Sequence, residues 1–280
     1  MTDIVTDWIM NILESVNSLG GILIQTPQEF NSTIYNGIMK IQNNVIMPIA
    51  YVVLALFLML ELYNITTRIN GIGGNSFEIP FRTLFKFVIC KTALDSTTLI
   101  LSAMFQLSQE IIIKTGNTLE YSSGIDMSSV RDVVYNMVDK ASFFDVVMAS
   151  VAIGVINIII MLVSLVINAI VVGRMIELYV HMGIAPLPLA TFPNAEASSI
   201  AKNFLKSIMA VSIQGVLIFL CVGIMRILFA QLIHIDTGSI GSMTTSSIQG
   251  VLWQCAGYQI VLLIAIFGTG KWAKSICNAM

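Results

Sequence analysis

Residues 174–215 read RMIELYVHMGIAPLPLATFPNAEASSIAKNFLKSIMAVSIQG. Arg174 and Glu177 follow a long apolar run and mark a helix leaving the membrane. Next comes Ala185-Pro186-Leu187-Pro188-Leu189-Ala190, whose prolines are incompatible with the interior of a regular helix. The segment is almost wholly apolar, so it does not read as a hydrated loop. A short, broken, oily segment between two polar ends predicts a re-entrant or interfacial turn, tolerated where protein or a water-filled cavity surrounds the backbone. Asn194, Glu196 and Ser198 then precede a helix carrying Lys202 and Lys206.

Outward from this turn, the chain is built of spans. Of 280 residues, 56% are hydrophobic and 11% charged, against about 25% charged in soluble domains. A crossing helix needs about 20 mostly apolar residues. Five segments qualify, over 45–63, 81–113, 145–173, 206–233 and 251–270, within a membrane domain 45–274. The second and third exceed one crossing and predict tilt or projection into water. The expected fold is therefore an all-α polytopic membrane protein, with a cytoplasmic-side hairpin at 174–205 holding the proline-interrupted segment. Residues 1–44 form a peripheral region. There Ile4, Val5, Trp8, Ile9, Ile12, Leu13 and Val16 share one helical face opposite Asp3, Asp7, Asn11 and Glu14. Thr26-Pro27-Gln28-Glu29 is a capping-box start for a helix running on into the first span, bent at Pro48. The acidic N-terminus lacks the pattern of a cleaved signal peptide, so the spans themselves are expected to direct insertion.

Basic residues set the expected orientation. With the N-terminus outside and the C-terminus cytoplasmic, Arg68, Arg82, Lys86, Arg174, Lys202, Lys206, Lys271 and Lys274 lie inside. Lys40, Lys114, Arg131 and Lys140 lie outside, among most of the acids.

Polar residues also run inside the spans. On the second, Lys91, Asp95, Thr98, Ser102, Gln106 and Gln109 fall on one arc of a continuous helix, with Lys91 and Asp95 spaced to pair. On the third, Ser150, Asn157, Ser164 and Asn168 share a face. Arg226 sits near the outer end of the fourth. Such seams line a polar lumen or a subunit contact. The plainer explanation, hydrogen-bonding glue within one subunit, is the commoner case.

Several function classes fall away. His181 and His234 are far apart, and no Gly-x-Ser-x-Gly, His-Glu-x-x-His or phosphate-binding loop occurs, which argues against an enzyme. The four cysteines stand singly with no metal-ligand spacing, so no metal or cofactor is expected. A net charge of −2 leaves no basic body to hold nucleic acid by charge alone. A secondary transporter would also use a broken helix and Lys91–Asp95, but no inverted repeat relates the two halves.

The pattern of Arg174, Glu177, Leu178, Tyr179, Ala185 to Thr191, Asn194, Glu196, Lys202, Asn203, Phe204, Lys206, Ser207, Gln214 and Gly215 resembles the central signature of TrbL-like conjugal transfer proteins. These are polytopic inner-membrane subunits of conjugative type IV secretion machines, and the chain is similar to the short form of Gram-positive conjugative elements. The resemblance implies a homo-oligomeric channel component in the plasma (inner) membrane, near partner ATPases, with transient contact to single-stranded DNA and its relaxase. It implies a structural role for Pro186 and Pro188, and hairpin or partner contacts for Arg174, Glu177, Asn194, Glu196, Lys202 and Lys206. The orientation has a direct check: Cys277 is expected to react with an impermeant thiol reagent only after the membrane is permeabilised.

Overall fold

The computed structural model describes residues 25–69, 78–118, 143–237 and 245–279. The amphipathic face at residues 4–16 lies outside them, as does most of the 114–144 connection. Among the described residues every regular element is helical. The order is α1 (Pro27–Phe30), α2 (Ser32–Ile41), a π turn (Gln42–Ile46) and α3 (Met47–Ile69). Then come α4 (Glu78–Asp95), α5 (Thr97–Thr118) and α6 (Phe143–Ile184). The chain ends with α7 (Pro186–Leu189), α8 (Ser198–Thr237) and α9 (Thr245–Cys277).

Four stretches are long and apolar enough to cross a membrane: Ser32–Thr67, Met161–Ile184, Ser198–Met225 and Ala256–Cys277. The bent pair Thr83–Asp95 and Thr97–Thr118 makes a fifth if counted as one span. This is the architecture of an all-α, multi-pass membrane protein.

Two local features differ from expectation. The helix expected over 81–113 is two helices, bent by 64° at Ser96. The span expected over 145–173 lies on a helix that runs on to Ile184 and carries Arg174 and Glu177, as a helix leaving the membrane there would. At the other end of the chain, the capping box forms as spaced. Thr26 Oγ1 accepts from the Glu29 amide at 3.0 Å, and Glu29 Oε2 accepts from the Thr26 amide at 2.8 Å. Donation from the Thr26 backbone, then from its side chain, holds the Glu29 carboxyl below its ordinary pKa. Yet α1 lasts one turn, because Asn31 is extended and caps a fresh start at Ser32 through Oδ1 and the Ile34 amide, 3.0 Å.

Pro48 explains the π turn. A proline donates no amide hydrogen and its ring crowds the carbonyl four residues back. The chain widens by one residue just before it, with the Met47 amide bonding to the Gln42 carbonyl.

The chain forms two compact units. The first takes residues 110–173 and 215–269 among its parts. Its core gathers Ile112 of α5, Val163, Ile167 and Val171 of α6, Val216, Phe219 and Val222 of α8, and Leu262 and Ile266 of α9. On α9 the buried line Ala256, Gln259, Leu262, Ile266, Thr269 has helical spacing.

The second unit takes residues 25–109, 174–214 and 270–280. It holds two apolar clusters. One joins Leu101 and Phe105 to Met175, Leu178, Met182, Ile208 and Val211, with Phe30, Tyr35 and Ile38 packed on it. The other joins Ala50 and Leu54 of α3, Cys90 and Leu94 of α4, and Leu189 and Ala190.

Outward positions such as Val52, Leu56, Met59, Val88, Leu162 and Leu165 are exposed, as expected of helices whose solvent is lipid. Leu101 is fully buried. Leu101→Ala is expected to cost about 2–3 kcal/mol of stability in detergent, low for such a truncation because lipid replaces water outside the core. Val52→Ala, at an exposed position, is expected to change it by less than about 0.5 kcal/mol. Thermal unfolding of the two variants checks the difference.

Candidate functional site

Of the residues singled out by sequence, Pro186, Pro188 and Asn194 lie at the proline turn of the second unit. Pro186 lacks the amide that would extend α6, and its ring would meet the Met182 carbonyl, so α6 stops at Ile184. Ala185 keeps helical angles, and Pro186 takes the first position of α7, where a missing amide hydrogen costs nothing. Pro188 falls within the first turn too, among amides that have no intrahelical acceptor. The segment expected to be non-helical is therefore one tight helical turn. The Leu189 amide bonds to the Ala185 carbonyl at 3.3 Å and the Ala190 amide to the Pro186 carbonyl at 3.0 Å.

The turn is enclosed. Ala185, Pro186, Leu189, Ala190 and Thr191 are buried. They pack on α3, α4 and the π turn, with Leu187, Phe192 and Leu205 closing over Ala50, Leu54, Phe87 and Leu94.

Polar bonds fasten the chain that follows. Thr191 Oγ1 lies 2.8 Å from the Pro188 carbonyl and 3.1 Å from that of Ala197. Buried Asn194 accepts through Oδ1 from the amides of Glu196 and Ala197, at 3.0 and 2.9 Å, and so caps the start of α8. Two charged groups of the α3–α4 pair reach the same loop. Lys86 Nζ donates to the Pro193 carbonyl at 2.6 Å, and Glu61 Oε2 accepts from the Ala195 amide at 3.2 Å.

Sequence reasoning missed Glu61. Its signal was present, since it is the lone acid within the apolar stretch 45–63. The sequence marks Lys86 only as one of the inward-facing basic residues.

The remaining signature residues separate. Arg174 is buried, and its Nε has no hydrogen-bond partner among the described residues. Glu177 and Glu196 are exposed, and neither forms an ion pair among the described residues. Tyr179, a matched residue without an assigned role, donates its hydroxyl to the Pro27 carbonyl and ties α1 to α6. His181 meets the backbone of Glu177, not its carboxylate: Nδ1 is 2.7 Å from that carbonyl, and the ring lies 5.7 Å from the Phe204 ring. Lys202 is exposed. Lys206 Nζ donates at 3.3 Å to the carbonyl of Asn278, the left-handed residue (φ 47°) that follows α9.

Of the polar seams, Lys91 and Asp95 pair at 2.8 Å, as their spacing predicted. The Tyr51 hydroxyl joins them, donating to Asp95 Oδ1 at 2.6 Å, while Lys91 Nζ stands 5.9 Å from the Tyr51 ring centre. Ser102 and Gln106 lie on α5 beyond the bend, so the arc drawn on one continuous helix is divided. Ser102 donates to its own helix at the Leu99 carbonyl, and Gln106 is exposed. Asn168 is half-buried. The side chains of Asn157 and Arg226 lie outside the described set, as does that of His234.

A consequence of the cap geometry is measurable. Asn194→Ala is expected to cost about 1 kcal/mol and speed amide exchange at Glu196 and Ala197, whereas Asn194→Asp retains the acceptor and most of the protection. Hydrogen exchange in detergent reads both.

Comparison with curated proteins and with solved structures finds no match for this chain. A family model does match, over residues 12–186, described as TrbL/VirB6 plasmid conjugal transfer like protein. That stretch is more than half of the chain and takes in α1 to α6, Arg174, Tyr179 and the entry into the proline turn. The multi-pass helical fold and the matched region agree, and the chain belongs to the TrbL/VirB6 plasmid conjugal transfer family.

Proposed function

We propose that this conjugal transfer membrane component forms, with further copies of itself, part of the channel through which a conjugative type IV secretion machine passes DNA and protein. Family membership carries the transfer role. The observation that supports a channel-forming part is the enclosed proline turn, because discontinuous helices at membrane depth occur where backbone borders protein or a wet cavity. Exposed charged and amide side chains within the bent pair, Lys91, Asp95 and Gln106, suit such a wall. Asn157, Asn168 and Arg226 are proposed for the same wall or for contacts between subunits.

In this reading the N-terminus faces outward and the C-terminus faces the cytoplasm. The turn and its Lys86 and Glu61 contacts then sit on the side where the machine's ATPases work, and the exposed Glu177, Glu196 and Lys202 are available to partner subunits. Single-stranded DNA and its relaxase are transient cargo in the assembled machine. No cofactor takes part.

Deleting the gene from its element is expected to abolish DNA transfer while leaving growth unchanged. Normal transfer by the deletion strain would refute the proposal. Complementation with Pro186→Ala/Pro188→Ala is expected to fail at normal protein level, because alanine permits α6 to run on through the turn. Lys91→Ala is expected to reduce transfer without loss of the protein from the membrane.

A further inference from the structure

Where the helices of the second unit are interrupted, polar side chains collect. The π turn brings Gln42, Asn43 and Asn44, and the end of α4 brings Lys91, Thr92 and Asp95. Tyr51 reaches Asp95 from α3. Thr98, just past the bend, donates to Gln42 Oε1 at 3.4 Å. Gln42 is wholly buried. Asn43, Asn44, Tyr51, Thr92, Lys91 and Asp95 are exposed, the last two with side chains 53% and 38% open. Around this patch the same helices expose hydrocarbon, at Ile49, Val52, Leu56 and Met59 on α3 and at Leu84, Phe85, Val88 and Ile89 on α4.

The ion pair cancels net charge but does not complete the bonding of its members. Asp95 receives Tyr51 on one oxygen and Lys91 on the other, while each oxygen can accept more. An ammonium has three donors, and the structure engages one of those on Lys91. Open, part-satisfied charges resting against acyl chains would lose their hydration with nothing in the lipid to replace it.

We infer that the face carrying Tyr51, Lys91, Thr92 and Asp95 is wetted within the membrane, lining an aqueous cavity, while the ridge Val52–Leu56–Met59 meets lipid. This narrows the proposed channel to one face and one depth of the chain. It rests on the channel reading for its purpose but not for its measurement.

The test uses the full chain in cell membranes, with Cys90, Cys221, Cys255 and Cys277 replaced by serine and one new cysteine introduced at a time. Thr92→Cys and Asn44→Cys are exposed to a charged, water-soluble methanethiosulfonate, and Val52→Cys and Leu56→Cys serve as the comparison. Unreacted thiols are counted with a maleimide after solubilisation. The wetted positions are expected to react at least about tenfold faster, since the reagent needs a thiolate and an apolar surround suppresses ionisation. Slow reaction at all four positions would overturn the inference, and so would equally fast reaction at all four. Labelling at Thr92→Cys alongside undiminished transfer by the deletion strain would leave the cavity standing and remove the channel role. Loss of transfer with no labelling would do the reverse.

Discussion

A helix interrupted in hydrocarbon must find partners inside the protein for the backbone groups it frees, because the bilayer offers none. Much of the second unit is arranged around that requirement. Three interruptions meet there: the π turn before Pro48, the bend at Ser96, and the break at Pro186. Each is resolved differently. At the first, one wider hydrogen-bonded ring replaces the bond that proline cannot make. At the second, backbone bonding continues, with the Ser96 amide on the Thr92 carbonyl and the Ile100 amide on that of Ser96, both 3.0 Å. Thr97 adds its hydroxyl to the Leu94 carbonyl at 2.6 Å. The third uses a single helical turn, then a capped loop held by a lysine and a glutamate from other helices.

The ionisable contacts at the loop are charge-assisted. Bonds between a charged group and a backbone amide or carbonyl are roughly twice as strong as neutral ones. Lys86 and Glu61 thus do more than balance charge. They hold residues 193–195 at a fixed place on the α3–α4 pair, and with them the start of α8.

Length and apolarity made the spans legible, and spacing made Lys91–Asp95 and the Thr26–Glu29 box legible, because both depend on neighbours within one helical turn. The two proline breaks were equally visible, since proline's restriction is a property of the residue itself. Their form was less so. A segment with prolines at its first and third positions can still be helical when no upstream amide bond is needed, as α7 shows. The bend at Ser96 was concealed because Asp95-Ser96-Thr97-Thr98 read as polar residues on a continuous apolar helix, and a helical wheel assumes the continuity it displays. The partners of the loop were beyond local reading. Lys86 and Pro193 are 107 residues apart, and Glu61 and Ala195 are 134 apart.

Those separations bear on how the chain is made. The α3–α4 pair leaves the ribosome with its cradle for the proline turn unfilled, and the occupant is translated afterwards. At about 5–20 residues per second the delay is roughly five to thirty seconds. Throughout it, a lysine and a glutamate destined for backbone partners must be kept solvated at the translocon, by headgroups, or by an insertion chaperone. The two halves of this contact are thus separated in time by translation as well as in sequence.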